Sequence, residues 1–568
     1  MNSDIFKIIF NSMRNVLLLL GLLISNNIIY PKTVSDSVTT FTSSNLPIVL
    51  INTNGQIIPG DHKITADMGI IYNGEGIRNY LTDPFNNYEG KIGIELRGST
   101  SLNYPKKQYG FETRDSAGNN NNVSLLGFPA ENDWILNAPY ADKSLIRNAL
   151  VYKLANESGR YASRSKFCEL VLNGEYMGVY ILFEKIKRDA NRVNIKKLEP
   201  PDTTGDALTG GYIIKVDKKD GENVGGWYSN YLPFSQSEKK IFYQYHYPKP
   251  DEIVEQQKQY IQNYILNFET RMKGTNIADT SDGYPSYIDT DSFVDYLLIN
   301  EICKNIDAYR LSMFMHKDRE SRNGKLVMGP VWDYNLAFGN VNYYLGYQIQ
   351  GWDIEYITNF NNLAGWENFY APFWWKTLFE ETYFRNKIYA RWQELKNSTY
   401  SINNIHSIID SLITMLDEAQ IRNFERWPIL GVYIEPNYYV GQSYQDEINY
   451  LKNWIAARIE WLDQNMVGST SNMNQNSEII PDFFELYQNY PNPFNAFTTI
   501  KFQLPQREFV IIDIFDMLGN QLVTLQRKEK PAGYYEVNFN AADLPSGVYI
   551  YRIQAGNYVQ TRKMLLLK

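Results

Sequence analysis

The apolar residues of this chain change period once in its main part and change back near its end, and that order limits the folds open to it. From Leu46 to about Asp217 the runs are short and strand-like: LPIVLINT, GKIGIELRG, KQYGFETR, FCELVLNGEYMGVYILFEKI and GGYIIKVDK. Asn173-Gly174 between two of them is a strong two-residue hairpin signal. One helix is predicted within Asn137–Ala155, where Ile146, Leu150 and Leu154 recur every four residues with Leu145 and Ala149 alongside. Beyond Pro250 the period turns helical, in IVEQQKQYIQNYILNFETRM and FVDYLLINEICKNI. A last helix places Ile448, Leu451, Ile455, Ile459 and Leu462 on one face. Polar VGSTSNMNQNSEI then reads as a linker, and the segment from Pro481 to Lys568 returns to short alternating strands punctuated by Gly and Pro. The plan is α+β: a main domain over 46–465, a linker over 466–480 and a small β-sandwich over 481–568.

A length of 568 residues suits two or three domains, and 44% hydrophobic residues supply ample core. The 44 Tyr and 11 Trp fit an extracellular, carbohydrate-rich setting, or a lineage bias. A net charge of −8 without a long basic run argues against a nucleic-acid partner. Two cysteines, Cys168 and Cys303, do not make a disulfide scaffold; one bond between them is open, and buried free thiols are the favoured reading. Four scattered His without HxxxH or CxxC give zinc no support, so a metal here would be a hard, oxygen-bound cation such as Mg²⁺. At the N-terminus Lys7 and Arg14 precede the apolar run Val16–Ile24, which is too short to span a bilayer. Residues 1–30 read as a secretory signal peptide, with a retained anchor as the alternative and no stable membrane span expected in the mature form.

Chemistry concentrates in Asn305–Gly339, where Asp307 and Asp333 lie beside apolar runs separated by the turn-like KDRESRNGK. A carboxylate among core-forming residues needs a partner: a metal, a transferable proton or a salt bridge. Two structural aspartates capping turns are an equal alternative here. Asn335, two residues after Asp333, can add a neutral oxygen. Arg97-Gly98-Ser99-Thr100-Ser101 follows a strand, so its N–H groups form either an anion nest or an ordinary hairpin turn. Lys106 and Lys107 open the next strand and can meet phosphate as point charges, with Glu184 to orient them, or form a surface salt bridge. Asp133, Asp142 and Arg147 read as a satisfied structural network, and the aromatic groups WENFYAPFWW and VNYYLGYQIQGW as packing residues rather than a substrate platform.

Taken in order, IELRGSTSLNYPKKQYGFE, NDWILNAPYADKSLIRN, LVLNGEYMGVYILFEKI, GGYIIKVD, NIDAYRLSMFMHKD and GPVWDYNLAFGN resemble the CotH family of secreted atypical kinases, over about residues 46–465. The resemblance implies a two-lobed kinase-like fold, a strand-rich N-lobe before a helix-rich C-lobe, that binds ATP and Mg²⁺ or another divalent cation. It also implies phosphorylation of Ser or Thr on secreted or surface proteins. By position, Asp307 is similar to the catalytic-loop aspartate and Asp333 to the metal-binding aspartate, with Asn335 beside it. ATP phosphates then fall to Arg97, Ser99 and Lys106 or Lys107, with Glu184 as the lysine's partner. Family members often carry Asn five residues after the first aspartate and Asp two after the second, where this chain has Ser312 and Asn335. Those departures leave open weaker Mg²⁺ binding, another metal, or a catalytically silent scaffold with a structural or adhesive role at the cell surface.

The tail is a second resemblance. LYQNYPNPFNAFTTIKFQLP, FDMLGNQLVTL and LPSGVYIYRIQAGNYVQTRKMLLLK are similar to the type A sorting domain of the type IX secretion system. It implies a Gram-negative cell, the type IX machinery as a partner, and a product secreted or held at the cell surface.

Overall fold

The computed structural model describes residues 41–219, 224–359, 369–466, 484–489 and 492–567. The expected leader and the expected linker beyond Met466 lie outside these residues. The chain groups into two compact units, divided at Gly468.

Alternation in the first strands closes them into a barrel. The strands are β1 (Ser43–Ser44), β2 (Ile48–Asn52), β3 (Ile64–Ile71), β4 (Asn79–Tyr80), β5 (Tyr88–Arg97), β6 (Gln108–Arg114), β7 (Asp133–Asn137), β8 (Ser165–Leu172) and β9 (Glu175–Glu184). Seven of them close in the order β2-β3-β5-β6-β7-β9-β8, sealed by the parallel pair β2–β8. β1 and β4 form a separate ladder. In β5 the side chains of Tyr88, Ile92 and Ile94 are buried while Glu89 and Lys91 are exposed, the period-two pattern of a sheet with one wet face. Asn173 and Gly174 take φ of 52° and 83°, the left-handed values that a two-residue hairpin demands. Helix α1 (Arg147–Glu157) joins β7 to β8 with Leu150 and Leu154 fully buried.

The strand-rich and helical parts are not cut where the sequence suggests. Strand β10 (Tyr212–Val216) does not join the barrel. It is central in a five-stranded antiparallel sheet with β11 (Gly226–Tyr228), β12 (Phe242–Tyr247), β13 (Met313–Lys317) and β14 (Leu326–Met328), ordered β11-β12-β10-β13-β14. An apolar strand shows in its sequence that it pairs, but not with which partner, so this join is a tertiary fact. The helices are α2 (Glu255–Met272), α3 (Thr290–Cys303), α4 (Asp353–Thr358), α5 (Phe373–Glu380), α6 (Thr382–Leu395), α7 (Ile402–Arg426) and α8 (Tyr444–Asn465). The five positions expected on one face of α8 are all buried. One apolar cluster runs from Leu46 to Met466, so barrel and helices share a core. Cys168 and Cys303 are both buried free thiols, and among the described residues no helix is long and apolar enough to cross a membrane.

The second unit is all β: β15 (Glu485–Leu486), β16 (Phe497–Leu504), β17 (Glu508–Phe515), β18 (Gln521–Lys530), β19 (Gly533–Asn540), β20 (Gly547–Ala555) and β21 (Tyr558–Leu566). Its sheets, β15-β16-β19 and β18-β17-β20-β21, bury Ile500 and Phe502 from one and Val510, Ile512 and Tyr551 from the other in one core.

Candidate active-site cleft

The end of β5, the end of β10 and the loops after α3 and β14 border one cleft of about 1080 Å³. That volume lies just above the roughly 300–1,000 Å³ range of small-molecule sites. Arg97, the turn Gly98–Ser101, Asp217, Asp307, Ser312, Asp333 and Asn335 all line it.

Asp333 is placed by its backbone. Its φ is +67°, a left-handed conformation that Asp and Asn tolerate better than most side chains. Three hydrogen bonds hold it there. Asp333 N–H donates to Tyr152 Oη at 3.2 Å, Tyr334 N–H to Asn148 Oδ1 at 2.6 Å, and Asn305 Nδ2 to the Asp333 carbonyl at 3.4 Å. Backbone held in a sparse region by its surroundings is a recurring feature of functional sites. The carboxylate is exposed to the cleft yet walled by protein, and this burial, then Asp307 and Asp217, raises its pKa to about 7. Its contact with solvent weakens the first contribution, whereas the two neighbouring carboxylates act regardless.

Asp307 lies in the turn that follows α3, whose C-cap Lys304 has φ of 44°. Arg310 Nη2 reaches Asp307 Oδ1 at 3.1 Å, and Arg310 itself is almost fully buried beneath Tyr344. The expected network of Asp142 and Arg147 braces the same region. Arg147 Nη1 donates to Asp142 Oδ1 at 2.6 Å, and its Nε donates to the Ala337 carbonyl at 3.0 Å, tying α1 to the loop of Asp333.

The guanidinium of Arg97 lies 5.7 Å from the ring centre of Trp332, the residue before Asp333. Among the described residues it makes no hydrogen bond or ion pair, and burial lowers its pKa against the pull of Asp333 and other nearby acids. The turn beside it is a short 3-10 helix, Thr100–Asn103. Gly98 enters it at φ +122°, where a Cβ would stand 2.1 Å from Ser101 Oγ. The serine hydroxyl can rotate away, so it is the left-handed φ that calls for glycine here.

The lysines expected at this site stand elsewhere. Lys106 is 1% exposed; its Nζ donates to the Val179 carbonyl at 2.5 Å and to Asn423 Oδ1 at 2.8 Å, over the ring of Tyr180. Burial lowers its pKa to about 7. Lys107 Nζ donates to the Leu102 carbonyl at 2.5 Å and does not border the cleft. The lysine–Glu184 pair is not formed. Glu184 is fully buried at the end of β9 and bound by Arg164 Nη1 at 3.0 Å, with Arg192 Nε at 3.7 Å and Tyr161 Oη at 3.3 Å. A buried carboxylate needs neutralising neighbours, and those two arginines are nearer than either lysine. The aromatic groups divide: Trp374 and Trp375 are core, Tyr343 and Tyr344 border the cleft, and residues 360–368 lie outside the description.

The cleft also holds residues that sequence reasoning passed over: Lys215, Asp217, Lys218, Arg310 and Trp332. Lys215 and Asp217 carry a legible signal, two charges spaced two apart at the end of the otherwise apolar run YIIKVD. Among the described residues no three Asp, Glu, His or Cys side chains are close enough to share one ion. Mg²⁺ does not require such a cage, because it is commonly held by one or two carboxylates with waters and substrate phosphates. The hard oxygens of Asp333 and Asn335, the latter without a side-chain partner among the described residues, fit a Mg²⁺ shared in that way.

Two family models match the chain. The family model described as CotH kinase protein matches residues 94–462, and that described as Secretion system C-terminal sorting domain matches residues 488–567. No curated protein matches the chain. The protein therefore belongs to the CotH kinase protein family and carries a C-terminal sorting domain that directs it to secretion machinery for export, to be secreted or held at the cell surface.

Proposed function

We propose that this is an exported atypical kinase, two-lobed and kinase-like in its main domain, that moves the γ-phosphoryl group of ATP to a Ser or Thr hydroxyl of a secreted or surface protein. The observation that carries this reading is the convergence of Asp307, Asp333, Asn335, Arg97 and the turn at Ser99 on one cleft. Phosphoryl transfer asks little covalent chemistry of a protein; it needs positioning, charge stabilisation and a base. Asp307 accepts the proton of the attacking hydroxyl. Asp333 and Asn335 hold Mg²⁺, which when bound neutralises phosphate charge and keeps the transferring group in line. Arg97 and the N–H groups around Ser99 take phosphate oxygens. Lys106, Lys107 and Glu184 have no part in this reading. In the same proposal residues 1–30 are the export signal, 46–465 the kinase-like domain, 466–480 the linker, and 481–568 the part read by the type IX machinery of a Gram-negative cell.

A second reading, a silent kinase-like scaffold with a structural or adhesive role, is favoured by Ser312, Asn335 and the Arg310 partner of Asp307. The two separate on incubating the full chain and dephosphorylated casein with Mg–ATP and weighing the products. Added phosphate that disappears in Asp333→Ala supports the kinase, added AMP points to a different transfer, and no added mass supports the scaffold.

A further inference from the structure

If Lys106 and Lys107, just before β6, do not reach the cleft, the cationic side of a phosphate site must come from elsewhere. Lys215 and Asp217 occupy alternate positions at the end of β10, so their side chains leave the same face. Lys215 Nζ stands 3.2 Å from Asp217 Oδ2, and each side chain is about a fifth exposed, at 22% and 23%. The carboxylate is itself fixed. Its Oδ1 accepts from Lys218 N–H at 2.9 Å and from Ser312 N–H at 3.3 Å, and the Asp217 carbonyl accepts from Gln244 Nε2 at 2.7 Å. Strand β10 is the middle strand of its sheet, paired on both sides, so this ion pair rests on a rigid base.

Its neighbours are cations. Lys218 Nζ approaches Thr100 Oγ1 of the turn beside Arg97 at 3.5 Å. The cleft therefore holds Arg97, Lys215 and Lys218 together with Asp217, Asp307 and Asp333. A cleft lined by both cations and carboxylates suits a polyphosphate carrying a divalent cation better than it suits either alone.

We propose that Lys215, held in place by Asp217, is the lysine that grips the nucleotide's outer phosphates, and that this pair takes the role expected of Lys106 or Lys107 with Glu184. Lys215 is the binding residue, and Asp217 is a positioning residue that acts through it. This assignment rests on the nucleotide-binding reading above.

The test is equilibrium binding of Mg–ATP and of AMP to the full chain and to Lys215→Met, Lys215→Arg, Asp217→Asn and Lys107→Met. Loss of one charge-assisted phosphate contact predicts roughly 10- to 100-fold weaker Mg–ATP binding in Lys215→Met. AMP, lacking the outer phosphates, should bind Lys215→Met within about 3-fold of the unmutated chain, with Lys215→Arg intermediate for ATP. Asp217→Asn should lose less than Lys215→Met, and Lys107→Met should match the unmutated chain. Equal thermal unfolding of the free proteins shows that the variants fold. Mg–ATP binding unchanged in Lys215→Met, or ATP and AMP weakened alike, overturns the assignment while the nucleotide reading stands. Failure of the unmutated chain to bind Mg–ATP overturns both.

Discussion

Two groups of charged residues in the first unit use the same side-chain types to opposite ends. The first surrounds Glu301 and Arg458, both wholly buried. Arg458 donates to the carbonyls of Glu301 at 2.8 Å, Ile349 at 2.5 Å and Gly351 at 2.8 Å, and Nη2 meets Glu301 Oε2 at 3.1 Å. Glu301 also accepts from Tyr309 Oη at 2.9 Å and from the N–H groups of Asp353 and Ile354, each at 2.8 Å. The second group lines the cleft, where Arg97, Asp333 and Asn335 have side chains without a hydrogen-bond partner among the described residues. In the first group the chain supplies both donors and acceptors for Glu301 and Arg458, so this pair fastens α3, α8 and the loop before α4. The Asp353 carboxylate beside it, without a hydrogen-bond partner among the described residues, is wholly buried away from the cleft. In the second, the backbone is held tightly and the side chains are left to meet something else. Charge alone does not mark a site; charge with open hydrogen-bonding capacity on a rigid backbone does.

That contrast breaks most sharply under substitution. Asp307→Asn, which still offers Arg310 a hydrogen-bond acceptor, should lower phosphoryl transfer by roughly 10²–10⁴-fold, the usual contribution of a positioned base, with little change in thermal unfolding. Rates and melting curves of the same preparation check it. Arg458→Ala should do the reverse and destabilise the fold by about 3–5 kcal/mol, because Glu301 is left as an uncompensated buried charge. Denaturant unfolding of the first unit measures that loss, and a change below 1 kcal/mol would place the cluster among ornamental ion pairs.

A subtler separation comes from pH. Asp333 and Glu269 are both raised to about 7, Asp333 by surrounding protein and its acidic neighbours, Glu269 by burial against the pull of Tyr243 and Ser229. Each binds its proton more tightly folded than unfolded, so each makes stability fall as pH rises from the ordinary carboxylate range towards 7. Asp333→Asn and Glu269→Gln should each flatten part of that slope. Mg²⁺ should flatten only the part due to Asp333, because a bound metal favours the deprotonated carboxylate. Unfolding measured against pH, with and without Mg²⁺, tells them apart. The smallest effect belongs to Lys107→Met, expected within about 1 kcal/mol of the unmutated chain since its one partner is a nearby carbonyl.

Much of the fold was legible in the sequence for local reasons. The hairpin at Asn173-Gly174, the buried face of α8 and the alternating strands of the tail each follow from a few neighbouring residues. Strand β18 was not read, because QLVTLQRKEK sits at a sheet edge with most side chains exposed and so lacks a one-sided apolar pattern. At the site, Asp307 and Asp333 stood out because carboxylates beside core residues demand a partner. The lysines misled because Lys106 is captured by Asn423, which lies 317 positions away and announces nothing near Lys106 in the chain. The transfer of β10 from barrel to second sheet, which brings Lys215 and Asp217 to the cleft, is equally remote from any local pattern.

The most direct test of the central claim is a metal-dependent ATP titration of the full chain, read by heat or by the shift in unfolding temperature. The account predicts saturable binding that needs Mg²⁺ and vanishes in Asp333→Ala while the free variant unfolds like the unmutated chain. Binding that is absent from the unmutated chain, or that survives in Asp333→Ala, would contradict it.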